Sequence, residues 1–293
     1  MPVFLGLDCG GSSCRALAID EAGVVLFQGH AGPANLLSTP PDLLRANLCK
    51  ATSGCPEPDF VCGCFAGLVN DAEAARAEQL LRDIFPAAKV SAVPDYRAAF
   101  MACPPGADVC VVAGTGSVVC SRHGAEWQKS GGRGYLLGNP GSAFRFGQDA
   151  LIECLEHPGQ ASEHTKTLLL KEFGSLEEPA IIAKLYKSSS PAAQLAKLAP
   201  IIARDEIEGR EYASRSMNTQ LLALAEQAAR HVRAHVPNAS QLGLAGGVWN
   251  LSPRFVEAFR GHVAELLPEE PPCIVRIAKP PVHGAAALAR EMA

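Results

Sequence analysis

Short apolar runs near the start of the chain give way, after about residue 142, to apolar positions spaced three or four residues apart. The early runs predict strands near 3–8, 14–20 and 24–29, a helix near 41–53, a strand near 59–65, a helix near 72–84 and a strand near 89–93. Strands near 108–113 and 117–122 restart the pattern, so a second unit follows the first with little sequence similarity to it. Three strands before the first helix, then strands alternating with helices, predict a mixed sheet with helices on both faces. From about 142 to 236 the pattern is helical, and Leu221, Leu222, Leu224, Ala225, Ala228, Ala229 and Val232 mark one buried face. The apolar run Leu242-Gly243-Leu244-Ala245 predicts a further strand, followed by a helix opened by Ser252 and Pro253. Ser188-Ser189-Ser190-Pro191 and Val236-Pro237-Asn238 read as loops.

Three glycine turns interrupt these runs. The first is Asp8-Cys9-Gly10-Gly11-Ser12-Ser13-Cys14-Arg15, where an acid ends a strand and two glycines and two hydroxyls follow. Glycines let backbone N–H groups close around an anion, the hydroxyls add donors, and the acid can hold Mg²⁺ through water. Gly-Gly between two apolar runs is equally the mark of a plain β-hairpin, and the turn alone does not separate the two. The second turn, Ala113-Gly114-Thr115-Gly116-Ser117, repeats the strand, glycine and hydroxyl plan, so a nucleotide's phosphates could be gripped from two sides. The third, Gly246-Gly247, leads from strand to helix and leaves room for a nucleoside against its backbone.

In this order the turns resemble the sugar kinases of the actin-like ATPase superfamily, and specifically the N-acetylglucosamine and glucosamine kinase branch grouped with the BadF/BadG/BcrA/BcrD ATPases. Further segments carry the likeness: Ala34-Asn35, Pro94-Asp95 before Ala98-Ala99, Gly131-Gly132-Arg133-Gly134, Gly138-Asn139-Pro140-Gly141-Ser142 and Pro281-Val282-His283-Gly284-Ala285-Ala286. The resemblance implies an α/β chain with a duplicated ribonuclease H-like (actin-like ATPase) fold, two lobes around a nucleotide cleft. The first lobe is expected over 1–105, with a helix at 281–293 packing back on it. The second is expected over 106–280, with a mostly helical insertion at 142–236.

The implied activity is transfer of the γ-phosphoryl group of ATP, with Mg²⁺, to a sugar hydroxyl. Asp8 would hold the metal. Gly10, Gly11, Ser12, Ser13 and Arg15 would hold phosphates, joined by Gly114, Thr115, Gly116 and Ser117, while Gly246 and Gly247 would line the adenosine. Asp95, after the apolar strand Val90-Ser91-Ala92-Val93, matches the family's catalytic base and would also meet the sugar; its structural alternative is a helix N-cap. Asn35 matches the family's sugar-contacting Asn, where the residue type alone suggests a turn. Gly132 belongs to a loop small enough for close approach to a hexose, and Arg133 beside it could meet the nucleotide or a surface acid. Asn139 is a departure, because these kinases have an acid there; it is expected to contact the substrate as an amide, without the charge that favours an amine. Ser142 is expected to cap a helix that buries Phe146, Ala150 and Leu151.

Composition narrows the alternatives. A chain of 293 residues, 48% hydrophobic and 19% charged, is long enough for two folded cores. Its net charge of −4 comes without a basic stripe, which argues against nucleic acid. No apolar run approaches the length of a membrane span and no basic leader is evident, so a cytoplasmic protein is expected, with a homodimer open. The eleven cysteines are scattered and include no Cys-x-x-Cys pair, and Cys62 and Cys64 on one strand face read as small apolar packing. The relatives with different work, the BadF-type activators, hold an iron–sulfur cluster through cysteines at a dimer interface; Cys110 and Cys120, in strands, suit that poorly. Such an activator, or a sugar or nucleotide sensor without turnover, is the rival function. His231 and His235 stand four apart on a helix, as zinc ligands can, but their surroundings read as a solvated helix end.

Overall fold

The computed structural model describes residues 1–293. In chain order its elements begin with strands β1 (Phe4–Cys9), β2 (Cys14–Ile19) and β3 (Val25–Ala31), helix α1 (Pro41–Ala51), β4 (Phe60–Phe65), α2 (Asp71–Ile84), β5 (Lys89–Pro94) and α3 (Asp95–Met101). Strands β6 (Val109–Ala113), β7 (Ser117–His123) and β8 (Glu126–Gly131) follow, then helices α4 (Ala143–Glu156), α5 (Glu163–Phe173), α6 (Glu178–Tyr186), α7 (Pro191–Ala196), α8 (Ala199–Ile207) and α9 (Glu211–His235). The chain ends with β9 (Gln241–Ala245), α10 (Pro253–Leu266), β10 (Cys273–Arg276) and α11 (Pro281–Arg290). It divides into two compact units, Met1–Pro105 with Ile277–Ala293, and Gly106–Arg276.

The sheet of the first unit has the order β3-β2-β1-β4-β5. Its hairpin strands are antiparallel, whereas β1, β4 and β5 run parallel because helices connect them. Leu5, Leu7, Val61 and Phe65 point to one face and join Leu44 and Leu48 of α1 and Leu81 of α2 in the core. The opposite face carries α3 and α11, and it is built for backbone contact. A Cβ on Gly6 would stand 2.1 Å from the Ala286 nitrogen of α11, and one on Gly284 would stand 2.0 Å from the Ala98 carbonyl of α3. Asn70 caps α2 by accepting the Glu73 N–H at 2.9 Å.

The second unit repeats the plan as β10-β9-β6-β7-β8. Two of its strands escape sequence patterning for a clear reason. β8 is a polar edge strand, Glu-Trp-Gln-Lys-Ser-Gly, held by pairing to β7, and β10 buries only Ile274 between prolines and acids. The helical stretch resolves into α4 to α9, with Leu221, Leu224, Ala225, Ala228, Ala229 and Val232 of α9 buried; Leu222, expected on the same face, is instead exposed, one position round the helix from it. Ser142 caps α4 by accepting the Arg145 N–H at 3.3 Å, and Phe146, Ala150 and Leu151 are buried as the spacing requires. Ser252 likewise caps α10. The Trp249 indole, between β9 and α10, is buried and donates to the Ala245 carbonyl at 3.0 Å.

A second expectation is corrected at His231. His231 is not at a solvated helix end but fully buried, its Nδ1 2.8 Å from Ser130 Oγ and its Nε2 2.9 Å from Ser121 Oγ. The antiparallel β7–β8 pair lies against that face of α9, which sequence spacing alone cannot reveal. Burial, then the neighbouring His235, pushes the His231 pKa down to about 4, so the ring is neutral and ties two serines to the helix.

Candidate functional site

Parallel strands β1, β4 and β5 end at one edge of the first sheet, the place where α/β folds present their loops. The turn after β1 closes through the Gly10 N–H and the Ser13 carbonyl at 2.9 Å, so Gly10 to Ser13 do form a β-hairpin turn. They form it with donors to spare: no acceptor of the chain meets the N–H groups of Gly11, Ser12 and Ser13. A cluster of unpaired donors on a four-residue turn is a ready cradle for an anion.

Two carboxylates lie at the same ends of these parallel strands. Asp8 lies in register with Arg15 on β2 and with Cys64 on β4, and Cys64 lies in register with Val93 on β5. Asp95 follows two residues beyond Val93, half-buried, as the first residue of α3; the cap position belongs to Pro94, so Asp95 is not an N-cap. The Cys64 thiol senses both acids. Its pKa stands well above normal, through burial first, then its hydrogen bond to Cys62, then the charges of Cys62, Asp8 and Asp95. Burial also raises the Asp8 pKa, against the lowering pull of Arg15. A carboxylate whose charge is disfavoured by burial gains from a cation, so Asp8 with the adjacent donors suits a hydrated Mg²⁺ beside phosphate.

Asn35 is brought to the same edge by its loop. The Ala34 N–H donates to the Gly10 carbonyl and the Leu36 N–H to the Ala66 carbonyl, each at 3.0 Å. The Asn35 Oδ1 accepts from the N–H groups of Leu37 and Ser38 at 2.9 and 3.1 Å, the turn role its residue type suggests, and this leaves its amide NH₂ as the end available to a ligand. Two supports went unread in the sequence. Asn47 of α1 donates to the Pro33 carbonyl at 2.7 Å, and Gly67 packs so closely that a Cβ would lie 2.6 Å from Asn35 Oδ1. An Asn inside the predicted helix 41–53 was the available signal for the first; nothing local marks the second.

In the second unit the 114–117 turn is more self-occupied. The Gly114 N–H donates to the Gly116 carbonyl at 2.8 Å, the Ser117 hydroxyl to the Pro140 carbonyl at 2.7 Å, and the Ser117 N–H to Asn139 Oδ1 at 3.3 Å. The N–H groups of Thr115 and Gly116 remain without a partner in the chain. Gly246, at φ +106°, packs on the start of this turn, where a Cβ would stand 2.3 Å from the Ala113 carbonyl oxygen. Gly247 beside it faces open space. Gly132, at φ +65°, donates its N–H to the Ser117 carbonyl at 3.2 Å, which joins the 131–134 loop to the same turn. Arg133 is exposed.

Cys62 and Cys64 are buried with sulfurs 3.9 Å apart, Cys9 and Cys14 with sulfurs 3.6 Å apart, and Cys110 and Cys120 pair in register across β6 and β7; every cysteine is a free thiol. No helix is long and apolar enough to cross a membrane.

The whole chain is similar to known proteins. The family model of the BadF/BadG/BcrA/BcrD ATPases matches residues 5–289. An N-acetylmuramic acid/N-acetylglucosamine kinase of Clostridium acetobutylicum is 24% identical over 276 residues, 89% of this chain and 90% of that protein. Among solved structures, one from Porphyromonas gingivalis, provisionally named an N-acetylglucosamine kinase, superimposes with a TM-score of 0.76 at 20% identity, over 99% of both chains. A ROK family glucokinase from Streptomyces griseus, in complex with glucose and AMPPNP, gives a TM-score of 0.67 at 17% identity, again over 99% of both. At these identities the two structures establish the two-lobed α/β sugar kinase fold, in keeping with the paired five-stranded sheets described above.

Proposed function

Since the chain belongs to the BadF/BadG/BcrA/BcrD ATPase family, we propose that it is an ATP-dependent carbohydrate kinase of the cytoplasm, acting on a hydroxyl of a hexose or amino sugar such as N-acetylglucosamine or glucosamine. The observation that carries this reading is the edge of the first sheet. There a turn with three N–H donors free of partners in the chain follows Asp8, and Asp95 opens the helix after β5, two strands away, with the Cys64 thiol between them feeling both charges.

Each residue then has a task. Asp8 would hold Mg²⁺, and Gly11, Ser12, Ser13 and Arg15 would bind phosphate oxygens on the turn that Gly10 closes. When bound, the metal neutralises charge on the polyphosphate. Thr115 and Gly116 offer their free N–H groups to phosphate, on a backbone shaped by Gly114 and Ser117. Gly246 sets the floor of the adenosine site and Gly247 lines it. The Asn35 amide and the backbone at Gly132 bind sugar hydroxyls. Asp95 accepts the proton of the attacking hydroxyl as its oxygen bonds to the γ-phosphorus and the bond to the departing ADP breaks. Positioning and fixed dipoles supply most of the acceleration, so water should replace the sugar only slowly.

The rival activator uses the same nucleotide machinery without a sugar acceptor, and one experiment separates them. ADP release is followed over a panel of hexoses and amino sugars, for the native chain and for Asp95→Asn. A kinase shows sugar-stimulated release that falls by about 10²- to 10⁴-fold in the variant, the usual weight of a general base, while ATP binding persists. Release that no sugar stimulates, or phosphorylation that survives in Asp95→Asn, overturns the proposal.

A further inference from the structure

Asn35 is held by more than the turn it forms. Its N–H donates to the Thr39 hydroxyl at 3.1 Å and its carbonyl accepts the Thr39 N–H at 3.0 Å, so one residue grips the backbone of Asn35 on both sides. Thr39 is buried and stands two residues before α1. The carboxamide is fixed as well. Two backbone N–H groups, of Leu37 and Ser38, point at its Oδ1, which settles which end of the amide is oxygen. Every polar group of Asn35 except its NH₂ is thereby spent inside the chain, and the NH₂ is the end that the sugar reading gives to a hydroxyl.

We infer that Thr39 is a positioning residue for the sugar: its hydroxyl sets the Asn35 backbone and, through it, the direction of the two amide N–H donors. This rests on the sugar reading proposed above. The other ties of the loop act on the neighbours of Asn35, since Ala34 is bonded to the Gly10 carbonyl, Leu36 to the Ala66 carbonyl and Pro33 to Asn47. Without the Thr39 hydroxyl the Asn35 N–H loses its acceptor, and the residue keeps only the bond from its carbonyl to the Thr39 N–H. The backbone can then turn toward another acceptor, and the side chain swings with it. A hydrogen bond weakens steeply with angle, so a small swing costs sugar affinity. The hairpin donors of Gly11, Ser12 and Ser13 make no bond to Thr39, so the phosphate contacts do not share in this loss.

The test compares the native chain with Thr39→Val, which keeps the shape and drops the hydroxyl, and with Thr39→Ser, which keeps the hydroxyl. Binding of a panel of hexoses and amino sugars and binding of ATP with Mg²⁺ are titrated separately, beside ADP release. Thr39→Val should bind the best sugar about tenfold more weakly and ATP within about twofold of native, while Thr39→Ser should return sugar affinity to within about twofold. Thr39→Ala replaces Thr39→Val if valine at this buried position unfolds the chain. The same change is then made in Asn35→Ser, which keeps an oxygen for the turn and lacks the NH₂. There Thr39→Val should cost almost no further sugar affinity, because the group it positions is gone. Native-like sugar affinity in Thr39→Val, an equal loss for sugar and ATP, or a full loss repeated in Asn35→Ser overturns the inference, as does a native chain that binds no sugar. If sugars bind in the expected pattern yet none stimulates ADP release, the kinase proposal fails and the role of Thr39 stands; if release is sugar-stimulated and Thr39→Val spares sugar affinity, the kinase proposal stands and the inference fails.

Discussion

Glycines that look alike in the sequence do different work. Gly6 has an ordinary φ, yet a Cβ there would meet the α11 backbone at 2.1 Å, whereas Gly11 also has an ordinary φ and would meet nothing within 4 Å. Gly6→Ala should therefore lower the stability of the chain by about 1–3 kcal/mol, read as a shift of the denaturation midpoint, because the overpacked backbone of α11 must move. Gly11→Ala should leave that midpoint unchanged and weaken ATP binding, since its methyl group occupies the space above the hairpin donors. If Gly11→Ala destabilises the fold and spares ATP binding, the hairpin is structural and not a phosphate cradle. The residue types at Asp8 to Ser13 were readable as this chemistry because donors, acids and backbone freedom are properties of the residues themselves. The turn bonds of Asn35, the place of Asp95 inside α3 and the reach of Asn139 to Ser117 were not, since each depends on a neighbour that sequence does not name.

At the scale of elements, strands with apolar alternation and helices with apolar stripes were legible, while β8 and β10 were not. Their pairing rests on backbone hydrogen bonds at the sheet edges, which leave little trace in side-chain pattern. The link between α9 and the β7–β8 pair carries a pH signature. The folded His231 stays neutral down to about pH 4, while the unfolded side chain takes up a proton near pH 6.5. Stability is thus fully present above pH 6.5 and declines as pH falls from there to about 4, by about 3 kcal/mol in total. Urea unfolding across that window should show the decline, and His231→Gln, which keeps polar ends for Ser121 and Ser130, should flatten it. A variant with the native pH slope would show that the buried ring is not its source.

For the whole molecule, the first unit is discontinuous: residues 1–105 are completed by residues 277–293, after the second unit has intervened. Helix α11 packs its small residues, Gly284, Ala285 and Ala286, against β1 and α3. A chain shortened to residue 276 leaves that face of the sheet uncovered, so its first unit should lose protection from proteolysis while a fragment near 106–276 survives. Equal survival of both units would mean that α11 is not needed to close the first. Hydrophobic periodicity and the chemistry of glycine, serine and aspartate belong to local stretches of chain, which is why the sequence by itself determined the α/β class and most of the strands and helices, β8 and β10 excepted, and marked the glycine turns as candidates to hold an anion. Tertiary structure alone decided which distant segments meet: Asn139 with Ser117, His231 with two serines, Cys64 near two carboxylates, and α11 with Gly6. Such meetings arise from packing whole elements to exclude water, and packing is a property of surfaces that no single stretch of sequence contains.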